Sequence, residues 1–238
     1  MTIHQILLFS NAANSNELGL TLWAVFKEVE HLYDGHDKRV SFRRSCLAES
    51  VPKEVQGEVS LPWETIASTL KDPNQWQQAH GRYTRTFDQQ KLLDLALGLI
   101  GDPKREDQVV LVTDKEITPP SQWRYIIWSG CKGGTVVSVA PTDPVYWSQT
   151  DPNRILTIKH RVRVACCSTV GEKLGLQRCD NPNCFLYKHV DSVSTLDHML
   201  YIGEEHELKE LDRRGFAKVD DPTQVQPVMS FNLFEDAE

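Results

Sequence analysis

Residues 153–175, NRILTIKHRVRVACCSTVGEKLG, constrain this chain more than any other stretch. They follow Pro152 and close on Gly175. Ile155, Ile158, Val162, Ala165, Cys166, Thr169 and Val170 recur at helical spacing. That pattern predicts a long helix with an inward face, stopped by a glycine able to take the left-handed turn a helix end needs. A helix of this length needs a large apolar partner, and the sequence offers strands. DQVVLVTDKEI, from Asp107, is the clearest of them.

The rest of the chain supplies more elements of both kinds. Ile3–Asn11 is rich in β-formers and reads as a buried strand. A helix follows from Asn16-Glu17 toward Gly35, with Leu18, Leu20, Leu22, Trp23, Val25, Phe26, Val29 and Leu32 on its apolar side. RVSFRRSCL is a second strand, and PWETIASTL a short helix among loops punctuated by Pro52, Pro62 and Pro73. FDQQKLLDLALGLIG is amphipathic, with Leu92, Leu93, Leu95, Ala96, Leu99 and Ile100 on a broad face and Gly101 as its cap. WRYIIWSG and GGTVVSVAP come next as strands joined through Cys131-Lys132-Gly133-Gly134. Beyond Cys184 come loops, a helix over Leu208–Arg214, and a polar, acidic tail holding the apolar cluster SFNLF.

This order predicts an α/β (α+β) fold: a mixed β-sheet packed with helices, then a small irregular C-terminal subdomain. Residues 1–218 form a single domain, with an N-terminal part over 1–175 and a C-terminal part over 176–218. Residues 219–238 form the acidic tail.

Charge and cysteine use narrow the function classes. The net charge of −7 argues against a dedicated nucleic-acid binder, which shows a basic face. No segment approaches the ~20 apolar residues of a membrane span, so no membrane role is expected. The start MTIHQILLFS lacks the basic region and apolar length of a signal peptide. Six cysteines without that signal point to reduced thiols or a metal, hence to the cytoplasm.

The long helix and the segment after it resemble one family. Metzincin peptidases carry H-E-x-x-H-x-x-G-x-x-H, two histidines a helical turn apart with a third beyond a glycine, all on zinc, and a glutamate as general base. In the archaemetzincins a cysteine follows the third histidine. A second cysteine comes after four intervening residues, then a methionine two beyond it, then a C-x-x-C; the four cysteines hold a second, structural zinc. Gly175-Leu176, Cys179 and Cys184 match that frame in spacing, and Leu186 falls at the methionine. TLDHMLYIGEE resembles the approach to the last cysteine pair, QVVLVTDKEITPP the strand into Thr-Asp, and TVVSVAP the Val-Val-Ser strand. RYTRTFDQQKLLDL is similar to a loosened form of the family's upstream helix, so the likeness spans residues 3–207. It implies a metzincin-like sheet backed by a former active-site helix.

The departures fall on the chemistry. The resemblance puts the first zinc histidine at Ser168, the general base at Thr169, the second histidine at Glu172 and the third at Arg178. It puts the last two cysteines at Glu204 and Glu207. A serine hydroxyl is a poor zinc ligand, a guanidinium repels the ion, and threonine cannot accept the water's proton. No catalytic residue is therefore expected, and Glu172 with Arg178 is a candidate ion pair where the metal would sit. Cys179, Cys184, Glu204 and Glu207 are residual second-site candidates. Metal-free packing is the favoured reading of them, with zinc at Cys179 and Cys184 kept open. His160, His189, His198 and His206 lack pairing spacing and read as ordinary histidines. The function expected is a catalytically inactive, archaemetzincin-like pseudopeptidase that binds a protein or peptide partner or serves as a regulatory subunit, with Thr135–Ala140 as an edge strand for the peptide. The alternative is an active metal-dependent peptidase with a rearranged site.

Overall fold

The computed structural model describes residues 2–9, 16–33, 41–47, 56–57, 86–101, 107–118, 127–147, 149–190, 192–202 and 206. The helices expected over PWETIASTL and Leu208–Arg214, the tail, and both Glu204 and Glu207 lie outside these residues.

Five strands make the central sheet. They are β1 (Thr2–Leu8), β2 (Ser41–Leu47), β5 (Gln108–Thr113), β7 (Trp128–Cys131) and β8 (Gly134–Ser138), in the order β2-β1-β5-β8-β7. β7 alone runs antiparallel to its neighbour; the other four are parallel. A smaller sheet joins β3 (Gln56–Gly57), β4 (Thr86–Asp88) and β6 (Ile117–Thr118). The apolar run of β5 is explained by burial on both faces. Val110 and Val112 join Ile3, Leu7 and Val137 in one core. Val109 and Leu111 join Ile6, Leu8 and Val136 in the other.

Helices cover both faces. α1 (Asn16–Tyr33) and α3 (Arg154–Lys173) pack over the first core, while α2 (Gln89–Ile100) seals the second with Leu92, Leu93 and Ala96. Asp88 caps α2, its carboxylate accepting from the Gln90 and Lys91 amides. The apolar sides are narrower than the sequence suggests: Leu20 on α1 and Leu99 on α2 are exposed. On α1 the buried face is Leu22, Val25, Phe26, Val29 and Tyr33. That set follows the 3.6-residue period, and Leu20 falls off it.

One further sequence expectation is corrected. The strand expected at an edge, within Thr135–Ala140, is internal: β8 lies between β5 and β7. Its five residues are all buried, and a strand so placed needs apolar side chains on both faces. Among the described residues the edge on that side is β7, joined to β8 by a tight turn at Lys132-Gly133.

α3 is the spine of the second half. The Arg161 side chain, nearly all buried, makes two bonds to Asp197, at 2.7 and 2.8 Å, and a third to the Thr142 carbonyl. It thereby ties α3 to the 3₁₀ turn Ala140–Thr142 and to the short helix α4 (Val193–Leu196). His160 makes a second tie. Its Nδ1 faces Arg163 Nη2, which must donate, so Nε2 carries the proton and donates to the Leu196 carbonyl at 3.0 Å.

Burial, and then the Arg163 guanidinium, hold the His160 imidazole below its usual value near 6.5. As pH falls, the unfolded chain therefore takes up this proton first. The stability present above about pH 6.5 declines as pH drops through the lowered value. In urea titrations His160→Gln should flatten that decline below about pH 6.5; an unchanged slope would show that His160 does not carry it.

Candidate functional site

The site is built at the C-terminal end of α3. The helix closes as predicted from Gly175: the Leu176 amide reaches the Gly171 carbonyl and the Gly175 amide the Glu172 carbonyl. Gly175 sits at φ +86°, where a side chain would strain the backbone. This closure turns the chain back so that residues 176–190 run beside the last turn of α3.

Gly171 governs how close they come. A Cβ there would lie 2.7 Å from the Tyr33 hydroxyl and 3.1 Å from a Leu186 methyl carbon. The three meet because position 171 has no side chain. Tyr33 donates to the Cys167 carbonyl at 2.6 Å, and burial pushes its phenol well above its usual range, keeping it neutral. Leu186, at the position the resemblance gives to a methionine, is fully buried beneath the helix end.

The four positions that the resemblance aligns with the zinc motif divide into two pairs. Ser168 and Thr169 are buried, and neither hydroxyl has a hydrogen-bond partner among the described residues. Glu172 and Arg178 are half-exposed and bonded to each other: Arg178 Nε donates to Glu172 Oε1 in a charge-assisted contact. Arg178 Nη1 also donates to the Tyr187 carbonyl at 3.3 Å. This donor set does not fit a catalytic zinc. Its nitrogen atoms belong to a guanidinium with no lone pair to give, its carboxylate is already engaged, and its hydroxyls are poor ligands.

Ligand chemistry gathers one loop further on. The donor atoms of Cys179, Cys184 and His206 all lie within 4.8 Å of one another. Cys184 Sγ is 3.2 Å from His206 Nε2 and accepts from the Leu186 amide at 3.3 Å. Cys184 is wholly buried, while Cys179 and His206 as whole residues are half-buried. Two thiols and an imidazole are a donor set that suits zinc. His206, read from the sequence as an ordinary histidine, stands beside these two thiols. Its partners lie 27 and 22 residues back in the chain and are reached through loops, so no local spacing could announce them. His189 faces Asp180 and His160 faces Leu196; neither joins the cluster.

Thiol chemistry elsewhere is muted. Burial pushes the Cys131 thiol up to about 11 and the Cys167 thiol up to about 12, with Cys166 also raised well above its usual range. At neutral pH these three stay protonated and are weak nucleophiles.

With this geometry established, comparison with known proteins is informative at the level of fold. No family model matches the sequence, and no curated protein matches it. Among solved structures the chain is similar to archaemetzincin from Methanopyrus kandleri, with a TM-score of 0.54 and 16% identity, over 90% of this chain and 96% of that one. It is also similar to a zinc-dependent peptidase from Methanocorpusculum labreanum, with a TM-score of 0.51 and 16% identity, over 87% and 98% of the two chains. The fold is therefore archaemetzincin-like: a mixed five-stranded sheet with helices on it.

The contact at Gly171 yields a direct test. Gly171→Ala should destabilise the protein by about 1–3 kcal/mol, because the added methyl must displace Tyr33 or Leu186. Combining it with Tyr33→Phe should return part of that loss, giving a non-additive double-mutant cycle in chemical denaturation. Strict additivity would mean the two residues do not meet as described.

Proposed function

We propose that this protein is a catalytically inactive, archaemetzincin-like pseudopeptidase that binds a protein or peptide segment. The observation carrying the reading is the Glu172–Arg178 pair. It occupies two of the positions to which the resemblance assigns zinc histidines, and it brings a fixed positive charge to where a cation would bind. Thr169 in place of a glutamate leaves no general base at the matching position on α3. What remains of a peptidase is the scaffold that would hold an extended chain. β7 is paired on one side only, with β8, among the described residues, and a strand edge of this kind accepts a peptide through main-chain hydrogen bonds.

A hydrolase working from the other donor set is the weaker reading. Cys184 has the 3.2 Å contact to a histidine that a nucleophile needs, yet it is fully buried, and a substrate carbonyl would have to reach it. We also place the protein in the cytoplasm. Cys46, Cys131, Cys166 and Cys167 are free thiols, which fits a reducing compartment. Among the described residues no helix is long and apolar enough to cross a membrane.

Two measurements test the function together. Purified protein supplied with zinc should leave a fluorogenic peptide library uncleaved at the level of a buffer control. Peptides that bind should slow amide exchange across Trp128–Cys131. Cleavage that a chelator abolishes, and that Glu172→Gln removes, would overturn the reading in favour of a rearranged active site. Binding that protects other segments but leaves 128–131 unchanged would overturn the edge-strand part.

A further inference from the structure

The loop after α3 is folded around its sulfur atoms. The Cys179 amide donates to the Leu186 carbonyl at 2.9 Å, and the Lys188 amide returns to the Cys179 carbonyl at 3.0 Å. The Cys184 amide bonds to the Asn181 carbonyl, and the Leu186 amide points at Cys184 Sγ. A second segment is then laid against this loop. Phe185 N donates to Tyr201 O and Leu200 N to Asn183 O, both at 2.7 Å, and His206 completes the approach with its ring on Cys184.

We propose that Cys179, Cys184 and His206 are ligands of one zinc-class divalent cation, with His206 taking the place that the resemblance would give to Glu204 or Glu207. The inference is independent of whether the protein hydrolyses peptides. Donor chemistry selects the metal: two thiolates and an imidazole suit zinc, whereas calcium and magnesium take oxygen. Distance permits it as well. Tetrahedral donors at ordinary zinc bond lengths stand about 3.6–3.8 Å apart. The Cys184–His206 contact at 3.2 Å and the 4.8 Å limit on the whole set bracket that spacing.

Two other roles fit less well. Packing of thiols as small hydrophobes accounts for a buried Cys184. It does not account for an imidazole nitrogen and an amide hydrogen both directed at its sulfur. A cysteine–histidine nucleophile needs the sulfur open to substrate, and Cys184 is enclosed.

The site would do more than staple a loop. Arg178 directly precedes Cys179, and its guanidinium rests on the Tyr187 carbonyl as well as on Glu172. Tyr187 in turn is bridged to Cys179. Metal bound at the cysteines would hold the hairpin that presents Arg178 to Glu172. Leu186, whose amide is on Cys184, lies under Gly171. Metal occupancy would thereby set how Leu186 packs against the last turn of α3.

Elemental analysis of protein purified under reducing conditions should find about one zinc per chain. Competition with a chromophoric chelator should show His206→Ala and Cys179→Ser each weakening zinc by at least about tenfold. Glu204→Gln and Glu207→Gln should leave zinc affinity unchanged. Far-UV circular dichroism on each variant separates a lost ligand from a lost fold. Should the variants misfold, cobalt in the wild-type protein still decides: strong thiolate-to-cobalt charge transfer with a tetrahedral visible spectrum is expected. Wild-type protein that takes up no zinc, or a weak six-coordinate cobalt spectrum, would overturn the site. Zinc lost in Glu204→Gln or Glu207→Gln yet kept in His206→Ala would overturn the ligand assignment. None of these readouts depends on peptide cleavage, so the two proposals fail separately.

Discussion

The second half of this protein depends on a missing side chain. At Gly171 the last turn of α3, the hydroxyl of Tyr33 from α1, and Leu186 from the following loop occupy a space that no Cβ could share. Close approach of this kind is what glycine permits, and it costs helix stability that packing must return. The return comes from the neighbours: residues 164–171 of α3 are buried without a break. Because α3 is so enclosed, its ends have only narrow freedom. Arg161 and His160 fasten its middle to the segment around Asp197 and Leu196, and the closure at Gly175 fixes where the cysteine loop begins.

The chemistry follows from that placement. The resemblance assigns zinc histidines to positions 168, 172 and 178, and the chain carries a hydroxyl, a carboxylate and a guanidinium there. The last two neutralise each other at a half-exposed site, where an isolated ion pair contributes at most about 1 kcal/mol. Its value is therefore in charge and position. A guanidinium fixed there repels a cation and offers donors to a carbonyl or carboxylate, as it already does to the Tyr187 carbonyl.

The fold was more legible in the sequence than the site, for reasons that specific residues make plain. Val109–Val112 announced a strand, and Gly175 announced a helix end; each signal is local and each depends on backbone geometry. The same logic misplaced β8. Its run of buried residues reads like any apolar strand, and what makes it internal is its second pairing, with β5, whose Val109 stands opposite Gly134, 25 residues further along the chain. Leu20 misled because it adjoins a true apolar face without lying on it. The spacing of Cys179 and Cys184 marked a loop correctly, but His206 was invisible. Ligand rules based on i and i+4 describe helices, and this cluster is assembled by a bridge from Cys184 to Tyr201 and by the hydrogen bonds of residues 183–201.

The Gln90 amide, at the start of α2, meets the backbone of Lys132 in both senses, its oxygen accepting from the Lys132 N–H at 3.0 Å and its nitrogen donating to the Lys132 carbonyl at 3.3 Å. In effect one side chain adds a rung to the hairpin that joins β7 to β8. The outermost strand of the sheet is thus anchored to a helix on the opposite core, at the point where an unsupported hairpin would fray. A lip held in this way has little disorder left to lose. A chain docking along it would give up its own freedom, with little further cost from the protein.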